Sequence, residues 1–109
     1  MTDTIQNLKN EAIELLQKLI AVPSFSKKED KTAAVIADFL TAKGIPVNRS
    51  GNNVWARNKH FDAAKPTLLL NSHHDTVKPN PGYTRDPFQA EIIDGKLYGL
   101  GSNDAGGTL

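Results

Sequence analysis

The chain has 109 residues, 39% of them apolar, with 13 basic and 12 acidic side chains and a formal net charge of +1. That is room for one modest domain and not two, and the balanced charge, without a Lys/Arg block, gives no sign of a nucleic-acid or membrane partner. Cysteine is absent, which removes disulfides, thiolate nucleophiles and cysteine zinc sites in one step. The opening MTDTIQNLKNE is polar and carries acids, unlike a signal peptide, and no run approaches the ~20 apolar residues of a membrane span. A soluble, cytoplasmic protein is the expectation.

Residues 4–21 read as a helix, with Ile5, Leu8, Ala12, Leu15, Leu16 and Leu19 on the helical period. Thr4 or Asp3 is its expected cap, and Pro23 limits its end by pushing Val22 out of the helical region. Ser26 to Glu29, SKKE, has the spacing of a capping box and predicts a second helix over about 27–43. Ala33, Ile36, Ala37 and Leu40 form its core stripe, and Gly44 stands where a left-handed C-cap belongs. From residue 45 the period changes to two. IPVNR and NVWARN flank SGN as a hairpin, Thr67–Ser72 is a short apolar strand of the buried kind, and after the loop KPNPGYTRDPF the pieces AEII, DG and KLYG make a second hairpin. The expected fold is α/β, two helices then a mixed β-sheet, with the interesting residues at strand ends.

The stretch NSHHDTV, residues 71–77, follows the apolar TLLL. Along an extended strand residues two apart share a face. His73 and Asp75 therefore point together, while His74 points away with Ser72. A metal-binding imidazole needs its second nitrogen held, very often by a carboxylate. His73 has that partner two residues on, and His74 has only Thr76. If a metal binds here, His73 is the ligand and Asp75 orients it. The plain alternative is a polar strand end, since His-x-Asp arises often by chance. Its place at the C-terminal end of a buried strand, where α/β sheets hold ligands, raises the metal reading.

The second candidate is YGLGSNDAGG, Tyr98 to Gly107. Gly99 and Gly101 invite a dinucleotide fingerprint, but its sixth position is Asp104, and no Gly-Lys-Ser/Thr follows to make a P-loop. A carboxylate among glycines lets the backbone turn tightly and brings one acid close to a ligand. Asp104 can bind or bridge metals, and on composition alone a turn or N-cap aspartate is the commoner case. His60, in NKHFD, reads as solvent-exposed, and Arg85 and Lys96 as surface charges. Ser102 has no histidine poised in sequence to activate it.

Taken together, LLLNSHHDTVKP, DPF and DGKLYGLGSND resemble the acetylornithine deacetylase / succinyl-diaminopimelate desuccinylase / carboxypeptidase-G family of dinuclear zinc hydrolases, and LIAVPSFS, residues 19–26, resembles that family's N-terminal signature. The likeness runs from about residue 12 to 109. Each motif is weak alone; their order and spacing are specific. The asparagine and alanine around Asp104 look most like an acetylornithine-deacetylase-type subgroup. The resemblance implies a zinc-peptidase-like catalytic domain of which residues 1–109 are the N-terminal portion. The chain's end inside the glycine-rich GSNDAGGTL leads to the same expectation.

By that resemblance His73 is a zinc ligand, Asp75 the catalytic-site acid that orients it, and Asp104 the carboxylate bridging two metals, with a cis peptide after it. It implies two Zn2+ per complete site, replaceable by Co2+, and a homodimer for the full-length protein. The partner is a small N-acyl amino acid such as N-acetylornithine, placing the enzyme in arginine biosynthesis, with a dipeptidase or carboxypeptidase of the same family as the alternative. The family's Glu-Glu pair, further acidic ligand and late histidine are not in these residues. Two positions depart from its pattern: Gly106 stands where lysine is frequent, and Tyr83 where tryptophan precedes the Pro-Phe pair. Two rivals remain. His-x-Asp is also part of the facial triad of non-haem iron oxygenases, but that triad needs a distant histidine and none follows His74. The other is a non-catalytic piece that keeps the fold without a working site.

Overall fold

A computed structural model describes residues 2–109. Helix α1 spans Thr2–Ala21 and α2 spans Asp30–Ala42. Strand β1 (Asn48–Ser50) pairs antiparallel with β2 (Asn53–Trp55), β3 (Glu91–Ile93) pairs antiparallel with β4 (Lys96–Tyr98), and a 3-10 turn follows at Gly106–Thr108. The α/β class and the order of helices before strands are as expected. The strands form two separate hairpins, and apart from them a single parallel bridge joins Phe25 to Thr76. Among the described residues no helix is long and apolar enough to cross a membrane.

The helix ends show where local chemistry decides. Asp3 and Thr4 lie inside α1 rather than capping it; Asp3 sits in the first turn, where a carboxylate favours the positive end of the helix dipole. The expected capping box does not form. Glu29 Oε1 accepts from the Lys27 amide at 2.6 Å instead, and Lys27 turns the chain at φ 70°. Helix α2 therefore starts three residues later than the spacing predicts. Its far end matches the sequence: Gly44 N–H donates to Thr41 O at 2.9 Å and Ile45 N–H to Leu40 O at 3.0 Å, a Schellman closure with Gly44 at φ 73°.

The core is small. Leu19, Ile20, Ala33 and Leu100 are its buried apolar residues. The α1 stripe is buried only toward its C-terminal end, at Leu19 and Ile20, where Ile20 lies against Gly99 and Leu16 against Gly106; Ile5 and Leu8 are exposed. Arg85 is on the surface but not idle. It donates to Glu91 at 3.1 Å and stacks over Tyr98, pinning the long loop to the β3–β4 hairpin.

The largest departure is Thr67–Ser72. This segment is neither a paired strand nor buried: it has no β partner, and Leu68, Leu69 and Leu70 are 83%, 80% and 85% exposed. An apolar run on both faces suits a strand with neighbours on each edge and layers above and below. Among the described residues nothing supplies them. This exposure sets an unequal response to mutation in the 109-residue chain. Ala33 has no exposed surface, so Ala33→Leu should overpack the α1–α2 contact and cost about 1–3 kcal/mol. Leu69→Lys should change stability by less than about 0.5 kcal/mol. Denaturant unfolding of both variants against the parent sequence checks this; a larger loss at Leu69 would mean the segment is packed in solution.

Candidate metal centre

An extended segment carries His73 and Asp75 on one side and His74 on the other, as strand parity predicts. His73 Nδ1 lies 3.0 Å from Asp75 Oδ1, and His73 Nε2 lies 3.1 Å from Asp104 Oδ1. The imidazole is thus held between two carboxylates, one adjacent in sequence and one 31 residues on. The partners of His74 come from elsewhere: Thr32 on α2 and the backbone of Asn52 in the first hairpin. That corrects the expectation that Thr76 is its available neighbour.

The loop bearing Asp104 reaches this place because of its glycines. Gly101 sits at φ 75°, and a Cβ there would lie 2.6 Å from the Thr76 methyl, so the turn and the close approach both require glycine. At Gly106 a Cβ would meet Leu16 at 2.5 Å and the Gly101 carbonyl at 2.9 Å. This structure therefore has no room for the lysine frequent at that position. The Asp104–Ala105 peptide is cis, as the resemblance implies. A cleft of about 600 Å3 opens over these residues, with Phe25, Lys78 and Tyr83 on its walls. Lys78 was not singled out in the sequence; its only signal there was its place just past the His-His-Asp run. His60, Arg85 and Lys96 lie on the exposed surface, and the structure does not bring them to this centre.

The chemistry of the donors can be read from their arrangement. With Nδ1–H donated to Asp75, Nε2 presents a lone pair to a carboxylate oxygen of Asp104. Two acceptors face each other stably only with a cation between them, either a proton or a metal ion. Imidazole nitrogen and carboxylate oxygen are ordinary zinc donors, and Asp75, 3.0 Å from Nδ1, stands where an outer-shell carboxylate would fix the ring. The residue types thus fit zinc. Their number falls short of a closed site: among the described residues no group of three or more metal-ligating side chains gathers.

A proton competes for the same place. Burial lowers the His73 pKa, but the hydrogen bond and charge of Asp75, then the charge of Asp104, outweigh it and hold the pKa above the ordinary 6.5. The ring is half exposed, so the carboxylates decide the outcome. Because the folded value is raised, the protonated ring favours the fold below the ordinary value, and that contribution is lost as pH rises through the raised one. A metal ion competes with the same proton, so affinity should rise with pH across this window. In an NMR titration of the metal-free chain, His73 should titrate above 6.5, and Asp75→Asn should bring it down toward that value. No movement on that substitution would mean Asp75 does not hold the ring.

No protein-family model matches the chain. It is similar to curated proteins named succinyl-diaminopimelate desuccinylase. That of Xanthomonas oryzae pv. oryzae is 38% identical over 106 residues, covering 92% of this chain and 27% of the relative. That of Xanthomonas campestris pv. campestris is 35% identical over 108 residues, 94% of this chain and 28% of the relative. That of Blochmanniella floridana is 33% identical over 108 residues, 92% of this chain and 28% of the relative. The chain spans about a quarter of the length of these relatives. Over nearly all of its own length, then, the chain is similar in sequence to a segment of proteins that carry the succinyl-diaminopimelate desuccinylase name.

Proposed function

We propose that these 109 residues are the N-terminal portion of a metal-dependent hydrolase that cleaves the amide bond of an N-acyl amino acid. The observation that carries the reading is the imidazole of His73 set between Asp75 and Asp104 at 3.0 and 3.1 Å, in a cleft, within a chain homologous to desuccinylases. His73 Nε2 and the Asp104 carboxylate would hold zinc, with Asp104 shared between two ions. Bound zinc would supply a polarised water and a Lewis acid for the acyl carbonyl. Asp75 keeps the His73 ring in one tautomer and one orientation, with Nε2 free for the metal.

No carboxylate in the cleft is left over as a general base. Its two acids, Asp75 and Asp104, are both assigned; Glu29 lies outside it, engaged by the Asn52 side-chain amide at 2.9 Å and by the Lys27 amide, and the sequence has no Glu-Glu pair. The remaining ligands and the base would come from residues outside this sequence. On this reading the 109-residue chain by itself is inactive.

The acyl group is where the lines of support diverge. Asn103 and Ala105 beside Asp104 resemble acetylornithine deacetylases, whereas the matched relatives carry the desuccinylase name. The second rests on more of the chain, and it favours a succinylated diamino acid over N-acetylornithine.

In the full-length protein, His73→Ala should abolish zinc-dependent hydrolysis, and His74→Ala should be clearly the milder change. Asp75→Asn should retain metal and lose rate, about 10–100-fold for an outer-shell partner. The assay sets N-succinyl-diaminopimelate beside N-acetylornithine, with zinc or cobalt added, for the full-length protein and for the 109-residue chain. Turnover by the short chain near the full-length rate, or a His74 variant more damaged than the His73 variant, would overturn the assignment.

A further inference from the structure

We propose that His74 is a positioning residue: its ring locks residues 72–76 at the angle at which His73 meets Asp104, and metal affinity depends on that lock although His74 is no ligand. The inference rests on the reading of His73 and Asp104 as zinc ligands.

The argument begins with the core. Ser24 and Thr32, 3% and 1% exposed, are its buried polar residues. Burying a hydroxyl is costly unless it is bonded, and both are bonded to residue 74. Thr32 Oγ1 lies 2.8 Å from His74 Nδ1, and Ser24 Oγ donates to His74 O at 2.9 Å. The other ring nitrogen, Nε2, lies 3.0 Å from the carbonyl of Asn52. A carbonyl only accepts, so Nε2 carries a hydrogen; in the neutral ring Nδ1 is then the acceptor, and the single Thr32 hydroxyl hydrogen has Nδ1 at 2.8 Å and Glu29 O at 3.1 Å to choose from, the ring nitrogen being the nearer. Asn52 is itself fixed, since its side-chain amide donates to Glu29 at 2.9 Å. One residue on from Asp75, the Thr76 amide donates to Ser24 O at 2.7 Å.

An extended segment bridged at Thr76 alone can still twist about its own axis at residues 73 and 74. Adjacent side chains leave it on opposite faces, so a ring fixed at position 74 sets the twist that aims 73 and 75. Metal ligands tolerate misplacement of only about 0.5 Å. Two buried hydroxyls and one carbonyl converging on the residue between ligand and orienting acid are more than a surface histidine needs. They are what a twist lock needs.

The test uses the full-length protein with Thr32→Val, His74→Leu, their combination, and His74→Gln, whose amide keeps a donor and an acceptor. Zinc affinity is read by competition with a chelating dye, and local opening by hydrogen exchange of the Thr76 amide in the metal-free protein. Each single change should weaken zinc binding about tenfold and speed Thr76 exchange, while exchange in α1 stays the same. The double variant should be no worse than the weaker single, and His74→Gln should recover most of the affinity. A folded Thr32→Val protein with unchanged zinc affinity overturns the inference, even if Thr76 exchanges faster. So do losses that multiply in the double variant. Should His74→Leu fail to fold, Thr32→Val decides, because it deletes one hydroxyl at constant shape. If the unaltered protein binds no zinc, the hydrolase reading falls, and unchanged Thr76 exchange in Thr32→Val then overturns the lock as well.

Discussion

A strand needs neighbours along its length, and the segment that bears the candidate ligand His73 has a single bridge among the described residues, Phe25 to Thr76. Everything else about the site follows from that constraint. The backbone of residues 67–77 is held not by a ladder but at one place, where the Ser24 hydroxyl donates to His74 O and the Thr76 amide donates to Ser24 O, next to the Phe25–Thr76 bridge. Side chains then do what a sheet would otherwise do. Ser24 follows α1, Thr32 belongs to α2, and the Asn52 carbonyl comes from the first hairpin. Three elements are gathered on a few atoms beside the candidate ligand.

What could be read in the sequence was local. The two helices, the Gly44 closure and both hairpins follow from periods of 3.6 and 2 and from turn residues whose effects span four or five positions. The facing of His73 and Asp75 was legible for the same reason, because parity along an extended chain needs no knowledge of the fold. The capping box was legible and misleading. Glu29 has a nearer amide to accept from once Lys27 takes a left-handed turn, and a one-residue choice of φ moved the start of α2.

The rest was not legible because it depends on residues far along the chain. Burial of Leu68–Leu70 cannot be inferred from their apolarity: a run of leucines says what environment a strand suits, not whether that environment is present. Ile20, one of the four buried apolar residues, lies off the stripe that the helical period picks out, and it is buried because a glycine-bearing loop presses on it. The partners of His74 stand 42 and 22 residues away, beyond any spacing rule. The meeting of His73 with Asp104 was implied by resemblance to a family; the geometry of Gly101 supplies its physical reason.

The spacing of those contacts bears on the order in which the chain acquires structure. Helices and two-residue hairpins close over a few positions and form within microseconds. The bonds that fix the segment close loops of 50, 42 and 22 residues, and loop-closure entropy must be met before such contacts give anything back. On that ground the elements expected to fold fastest carry none of the candidate site, and the contacts that bring it together are expected last. Early in folding the chain would show most of its helical signal while His73 and Asp104 were still strangers. A probe of secondary structure and a probe of metal binding would then report different rates on the same molecule.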